Sequence, residues 1–246
     1  PEDIRAPDVN EFTELVEAGP VRMITLAPEV MGAHDLVRAA LAQDVTVVAG
    51  HTNATYDEFE EAVELGLTQA THTYNAMSGL HHRRPGTLGA VLSDDRVYAQ
   101  LIADNIHVHP AAMDILARCK PIERTVLITD AMRAAGMDES IYDLGGQQVT
   151  VRDGSCRLPD GTLAGSILTL EKGLQNFMGA TGRSIAEVWP ACSRSPAASI
   201  GLDDQFGSIA RGSYADLTIV DSQGEVVATV VNGAAVYVRD SGRLSS

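Results

Sequence analysis

Two histidines, His51 and His72, follow two successive apolar runs of the sequence, and each precedes a loop that contains asparagine. Neutral imidazole is the commonest ligand for zinc and related ions, and a catalytic metal site keeps one position open for water. A single histidine is more often structural, so the similar placement of the two is what favours metal binding. The pattern predicts a divalent-metal site shared by His51 and His72.

A second pair of histidines, His107 and His109, stands at i and i+2. On a strand the two side chains would share a face and could bind a metal as an HxH pair. Pro110 follows directly and favours a loop, so this is the weaker of the two candidate metal sites.

Asp130 ends the apolar run 126–129. A carboxylate beside a metal can take a proton from an activated water and return it to a leaving group, and the cation keeps it ionised. The structural alternative is an N-cap for the next segment. Together with the histidines, Asp130 is predicted to act as general base and then general acid.

The dense basic stretch His81-His82-Arg83-Arg84 comes soon after Asn75 and Ala76 in a chain that is otherwise acidic. A guanidinium and backbone N–H groups together can clamp a phosphate. The alternative is an ordinary solvated loop.

The composition limits the partners that these residues can serve. The chain has 246 residues, a formal net charge of −15 and 45% hydrophobic residues, which is enough for one large α/β domain or two smaller ones. Nucleic acid and anionic membranes require a cationic face, so neither is predicted as a partner. No apolar stretch reaches the roughly 18 residues of a membrane span. Three cysteines without a CxxC spacing predict buried thiols in a reducing compartment, the cytoplasm.

Apolar runs alternate with amphipathic segments along the first half of the chain. Strands are predicted over 21–26, 45–49, 68–74, 97–103 and 125–128, and helices over 9–18, 31–43, 56–65, 169–178 and 184–193. This alternation indicates a parallel sheet with right-handed crossovers, in which ligands bind at the carboxyl ends of the strands. Turn pairs predict a β-hairpin insertion around 146–161, and Gly-separated apolar segments after 206 predict a small antiparallel unit.

Longer motifs run in order through essentially the whole chain. They are GHTNATYDE, THTYNAM, ADNIHV, LITDAM, DGTLAGSILT, PAASIGL and GSIARGSYADLTIVD. These motifs resemble those of the N-acetylglucosamine-6-phosphate deacetylases, a family of the amidohydrolase superfamily. The 21-residue separation of His51 and His72 also fits that family.

The resemblance implies an α/β fold, a (β/α)₈ barrel of TIM type joined to a small β-sandwich. Residues 1–206 would form the barrel without its first strand, and 207–246 the last sandwich strands. The implied reaction is hydrolysis of the N-acetyl group of N-acetylglucosamine-6-phosphate to glucosamine-6-phosphate and acetate. One or two divalent ions would assist it, with zinc favoured over iron or another metal.

The resemblance also assigns roles to residues. His51 and His72 would be metal ligands and Asp130 the catalytic base and acid. The phosphate would be held by the backbone amides of Asn75 and Ala76 with Arg83, which in this family can reach across a homodimer interface. The sugar hydroxyls would meet Asp104, Asn105, Ile106 and His107, without a need for His109. The acetyl pocket would be lined by Leu163, Ala164 and Gly165.

Two parts of the family pattern are missing from the chain, which would begin just downstream of them. One is an HxEGP segment whose Glu is a metal ligand, and the other is a following His that polarises the substrate carbonyl. Gln69, Glu2 and Glu29 are conceivable replacement ligands, and none is favoured.

Other functions remain open. One is a truncated, non-catalytic barrel that binds a sugar phosphate, and another is a different amide hydrolase of the superfamily. A phosphosugar isomerase or aldolase would need a carboxylate pair or a Schiff-base lysine, and the two lysines, Lys120 and Lys172, lie outside the chemical motifs.

Overall fold

A five-stranded parallel sheet forms the centre of the computed structural model, which describes residues 5–239. The strands are β1 (Met23–Leu26), β2 (Thr46–Ala49), β3 (Gln69–Ala70), β4 (Tyr98–Ile102) and β5 (Thr125–Ile128). Their order in the sheet is the order in the chain. Each crossover therefore leads to the next neighbour, as in a singly wound barrel wall, whereas a doubly wound sheet reverses direction.

Six helices accompany this sheet. They are α1 (Val9–Ala18), α2 (Ala33–Leu41), α3 (Tyr56–Leu65), α4 (Gly86–Ser93), α5 (Pro110–Cys119) and α6 (Leu170–Thr181). Each helix contacts the next one along the chain, from α1 through to α6. The helices thus form one continuous layer, which confirms the predicted α/β class.

The local signals explain which helices the sequence predicts. α1 and α3 have the predicted bounds, and α3 begins with a capping box in which Thr55 and Glu58 bond each other's backbone N–H groups. α4 was missed because most of it is buried, so it lacks the polar face of an amphipathic helix. α5 was missed as well, although His109 caps it and Pro110 occupies its first position.

The predicted strand 68–74 and helix 184–193 are both shorter than expected. Only Gln69 and Ala70 are in strand conformation, because His72 and Tyr74 have positive φ angles that leave the extended region. The second segment divides into α7 (Ile185–Val188) and a 3₁₀ turn containing Pro190, followed by α8 (Arg194–Ser199).

The predicted hairpin insertion is a three-stranded antiparallel sheet. Its strands are β6 (Ile141–Leu144), β7 (Gln147–Arg152) and β8 (Ser155–Arg157), and the Asp153-Gly154 pair forms the turn between the last two. β6 was missed because most of its side chains are exposed and no alternating apolar pattern results. The final strands β9 (Leu217–Val220), β10 (Val226–Val231) and β11 (Ala234–Val238) form a separate antiparallel sheet, as predicted.

The cysteines correct one expectation. Cys156 and Cys192 are shielded, and burial raises the pKa of the Cys192 thiol to about 12. Cys119, at the end of α5, is exposed and is not the buried filler that the composition suggested.

Within residues 5–239, no helix combines the length and the apolar character that a bilayer crossing would demand.

Candidate active site

The polar residues singled out by the sequence gather at the carboxyl edge of the parallel sheet. His51, His72, Asp104 and Asp130 each lie two residues past the last residue of β2, β3, β4 and β5 respectively. These strands are hydrogen-bonded neighbours and run in the same direction, so their ends meet at one edge. The sheet therefore places two imidazoles and two carboxylates at the same edge.

His51 and His72 face each other directly. Their Nε2 atoms are 3.0 Å apart, and the two rings are perpendicular. His72 Nδ1 lies 3.1 Å from the carbonyl oxygen of Asn75, so the proton resides on Nδ1 and the Nε2 lone pair points at His51. Two nitrogens bound to one tetrahedral zinc lie ~3.3 Å apart, so the pair has the donor chemistry and spacing of two metal ligands.

The electrostatics of His72 favour the form that binds metal. Its side chain is buried, with 7% exposure. Burial, and then the neighbouring His51, lower its pKa, while Asp130 acts in the opposite direction. His72 is therefore held neutral, as metal ligation requires.

A third ligand does not join this pair in the described chain. Within residues 5–239, no three His, Cys, Asp or Glu side chains lie close enough together to hold a metal ion. Gln69 is unsuitable, because its amide donates to the Ser199 carbonyl and accepts from Gln100. Glu29 bonds its neighbouring loop instead, and Glu2 lies outside the described residues.

Asp104 and His107 form a second polar pair beside the histidines. Asp104 Oδ2 lies 2.6 Å from His107 Nδ1, and its Oδ1 accepts the backbone N–H groups of Ile106 and His107. Burial alone would raise the pKa of Asp104, but these hydrogen bonds outweigh it and lower the pKa. The ionised carboxylate thus holds the His107 ring by Nδ1 and leaves Nε2 available to a ligand.

His109 serves a different purpose. Residues 103–109 lie outside the strands, and His109 Nδ1 accepts the Ala111 N–H as the N-cap of α5. His107 and His109 therefore have separate partners, and the strand geometry that an HxH metal pair needs is not present in this segment.

The loop of residues 163–166 lies against Asp130. The Asp130 carbonyl accepts the Ser166 N–H at 2.8 Å, and a side chain on Gly165 would come within 3.3 Å of that carbonyl. Gly165 also has a φ of +68°, so the close approach needs glycine. Leu163 and Ala164 are half-buried in the same loop. Asp130 itself is exposed and precedes a loop rather than a helix, so it is not an N-cap.

The residues predicted to bind phosphate do not come together in one place. The Asn75 N–H donates to the His72 carbonyl, whereas Ala76 is exposed. Arg83 is exposed in a turn beside His82 and lines a cavity of about 500 Å³ together with Asn53 and Thr55. Neither Asn75 nor Ala76 lines that cavity, so the structure does not join Arg83 to them.

Backbone strain is concentrated in these loops. Six of the nine non-glycine residues with positive φ in the described chain belong to them. They are His51, His72, Tyr74, Ala76, Asn105 and Asp130. Each such residue costs about 1–3 kcal/mol, and such strain clusters at functional sites.

The model of the amidohydrolase family matches residues 9–236. The chain belongs to the amidohydrolase family.

Curated members of the amidohydrolase family resemble the chain along most of its length. It is 38% identical over 237 residues to an N-acetylglucosamine-6-phosphate deacetylase of Bacillus subtilis, which covers 96% of this chain and 60% of that protein. It is 41% identical over 224 residues to an N-acetylgalactosamine-6-phosphate deacetylase of Escherichia coli O157:H7, covering 90% and 59%. The chain thus spans about 60% of the length of these relatives.

A solved structure supports the same relationship. The crystal structure of N-acetylglucosamine-6-phosphate deacetylase from Thermotoga maritima superposes with a TM-score of 0.91 at 37% identity. The match covers 96% of this chain and 64% of that one. The parallel sheet and its strand-end loops therefore follow the fold of this amidohydrolase.

Sequence reasoning missed several residues that border this amidohydrolase site. Lys172 and Asn176, on α6, line a cavity of about 340 Å³ with Asp104, Asn105 and Ile106. Glu29, which the sequence suggested only as a replacement metal ligand, lies three residues past β1 and hydrogen-bonds the loop that follows His51, a role that the sequence did not indicate.

Proposed function

We propose that the chain carries the active site of a deacetylase that acts on a 6-phosphorylated N-acetylhexosamine, with N-acetylglucosamine-6-phosphate as the favoured substrate. The reaction would be hydrolysis of the N-acetyl group to glucosamine-6-phosphate and acetate. The observation that carries the proposal is the facing pair of His51 and His72 Nε2 atoms, with Asp130 near enough to influence the pKa of His72. The choice of substrate is supported by the similarity to N-acetylglucosamine-6-phosphate deacetylases.

His51 and His72 would hold one divalent metal, zinc in the first instance, as two of its ligands. When bound, the metal would supply Lewis-acid activation of water and of the amide carbonyl. Neutral His72 keeps its Nε2 lone pair directed at the site, and the Asn75 carbonyl holds that orientation.

Asp130 would move the proton. As general base it would take a proton from the attacking water, and as general acid it would return the proton to the amine nitrogen as the C–N bond breaks. The exposed carboxylate can reach a bound amide from the end of β5.

The remaining loops would bind the substrate. His107, held through Nδ1 by Asp104, would present Nε2 to a sugar hydroxyl, with Asn105 and Ile106 beside it. Leu163, Ala164 and Gly165, packed against Asp130, would line the acetyl pocket. The phosphate would bind at the N–H groups of Asn75 and Ala76, where Asn75 must give up its bond to His72.

Arg83 would complete the phosphate site in a neighbouring subunit of a homodimer. Its exposed side chain lines a cavity to which neither Asn75 nor Ala76 contributes, which favours a contact across an interface. The free thiols, including exposed Cys119, support the cytoplasm as the compartment.

N-acetylgalactosamine-6-phosphate is a second candidate substrate. The 41% identity to the Escherichia coli relative is the observation that favours it. The two sugars differ only in the orientation of the 4-hydroxyl, so hydrogen bonds to hydroxyls must discriminate between them.

The test is acetate release from both 6-phosphates and from unphosphorylated N-acetylglucosamine, with zinc added to metal-free protein. We expect N-acetylglucosamine-6-phosphate to have the highest kcat/KM. The substitutions His51→Ala and His72→Ala should each abolish turnover and stoichiometric zinc binding. The control is Glu61→Gln, an exposed change on α3 that should behave as wild type. Phosphosugar binding without turnover under any metal would instead identify a non-catalytic binding protein.

A further inference from the structure

We propose that Glu29 is a positioning residue that holds His51 opposite His72. Glu29 follows β1, and its carboxylate bonds the two residues that come directly after His51. Oε2 accepts the Thr52 hydroxyl at 2.5 Å and Oε1 accepts the Asn53 N–H at 2.7 Å. The inference rests on the proposed role of the histidine pair in metal binding.

The hydrogen bonds of the Thr52 hydroxyl explain why position 29 needs a carboxylate. Thr52 is buried, with 1% exposure, and its Oγ1 accepts the Ala54 N–H at 3.0 Å. Its single proton is therefore directed at Glu29, which receives two donors and offers none. A glutamine would place an NH₂ group against one of these donors, so it would keep at most one of the two bonds.

Thr52 also links the loop of His51 to the loop of His72. Its N–H donates to the Ala76 carbonyl at 3.0 Å, and it forms a parallel bridge with Met77. The adjacent Asn75 carbonyl holds His72 by Nδ1. Hydrogen bonds therefore run from Glu29 through Thr52 to Ala76, the residue next to the Asn75 carbonyl that orients His72.

The backbone of His51 is strained and needs these hydrogen bonds to hold its conformation. His51 has a φ of +48°, which a histidine adopts only when its surroundings hold it there. The two bonds to Glu29 act on the residues that immediately follow it, and bonds to a carboxylate are about twice as strong as neutral ones. Without them, we expect the His51 ring to leave its position opposite His72.

The experiment compares Glu29→Ala and Glu29→Gln in the full chain, with Glu61→Gln as the matched control. The first measurement is made without metal, on imidazole ¹⁵N–¹H correlation spectra. We expect Glu29→Ala to shift the His51 and His72 ring signals and to leave those of His107 in place. Unchanged ring signals would overturn the inference whether or not the chain binds metal.

The second measurement is Co²⁺ binding, followed by the visible absorption of the ion. Loss of a partner that orients a ligand lowers metal affinity about 10–100-fold, so we expect that loss and an altered spectrum for Glu29→Ala, with a smaller effect for Glu29→Gln. Equal losses for both variants with unchanged metal-free ring signals would make Glu29 a ligand instead. Absence of Co²⁺ binding by wild type would defeat the proposed metal function, while the metal-free spectra still decide the role of Glu29.

Thr52→Val provides a test that leaves Glu29 in place. It removes the hydroxyl donor and preserves the side-chain shape, so it should reproduce part of the shift in the ring signals. Circular dichroism and the unfolding temperature of each variant establish that it is folded. Wild-type ring signals in folded Thr52→Val would contradict the path through Thr52.

Discussion

Individual side chains at this edge of the sheet have roles that single substitutions can separate. His72 is neutral because it is buried beside His51, and Asp104 is ionised because three donors face it. Asp130, by contrast, is exposed, so its contribution depends on position at the end of β5 rather than on a buried environment.

Asp130→Asn should retain metal and substrate but lose turnover. An amide cannot accept and return the proton, and general acid–base catalysis contributes about 10²–10⁴-fold, so kcat should fall by that amount. Steady-state kinetics with zinc analysis measures this, with Asp203→Asn at an exposed position as the control. A kcat close to that of wild type would remove Asp130 from proton transfer.

Arg83→Ala should affect phosphorylated substrate selectively. The loss of a guanidinium that contacts phosphate should raise KM for the 6-phosphate far more than for unphosphorylated N-acetylglucosamine. Arg211→Ala, at another exposed arginine, is the control. Equal changes for both substrates would exclude a phosphate contact.

At the scale of elements, the loops depend on hydrogen bonds made just beyond each strand. The loop after β4 is organised by the Asp104 carboxylate, which accepts two backbone N–H groups and the His107 ring. The loop after β2 depends on Glu29 in the same way. In these loops, carboxylates accept the backbone N–H groups that have no partner in a β-sheet.

Asp104→Asn should make stability less dependent on pH. The folded protein lowers the pKa of Asp104, so this group stabilises the fold above its unfolded pKa of about 3.9, and the contribution is lost as the pH falls through the lower folded value. We expect a loss of about 1–3 kcal/mol at pH 7 that shrinks towards pH 3. Urea unfolding across this range measures it, with exposed Asp44→Asn as the control. A constant difference at all pH values would contradict the assignment.

The whole molecule combines a continuous apolar core with a strongly acidic surface. Phe59 and Phe177 lie fully buried between the helices and the sheet, while the chain carries a net charge of −15. Repulsion among the acidic groups opposes compaction. The basic turn containing Arg83 stands out against this background as a place for an anion.

Salt should therefore stabilise the protein. Raising NaCl from low ionic strength to about 0.5 M screens the self-repulsion, so Tm should rise. Exposed ion pairs such as that of Arg38 with Asp35 weaken in salt, but each contributes little. Glu61→Lys reduces the net charge and should show a smaller increase. A fall in Tm with salt would show that specific ion pairs outweigh the net repulsion.

Much of the architecture follows from patterns within single segments. The apolar periods were enough to predict α1, α3 and the five strands of the parallel sheet, because hydrophobic period is a local property. Their position at the ends of apolar runs likewise identified His51, His72 and Asp130 as candidate site residues.

Contacts between loops could not be derived in this way. The bond from Glu29 to Thr52 joins residues 23 positions apart, and it exists only because β1 pairs with β2 in a register that aligns Leu26 with Ala49. The register of β2 with β3, which aligns Ala49 with Ala70, brings His51 to His72. Sequence patterns thus determined the elements and the chemistry at their ends, whereas sheet register and loop packing decided which of those groups meet, because both depend on interactions between distant segments.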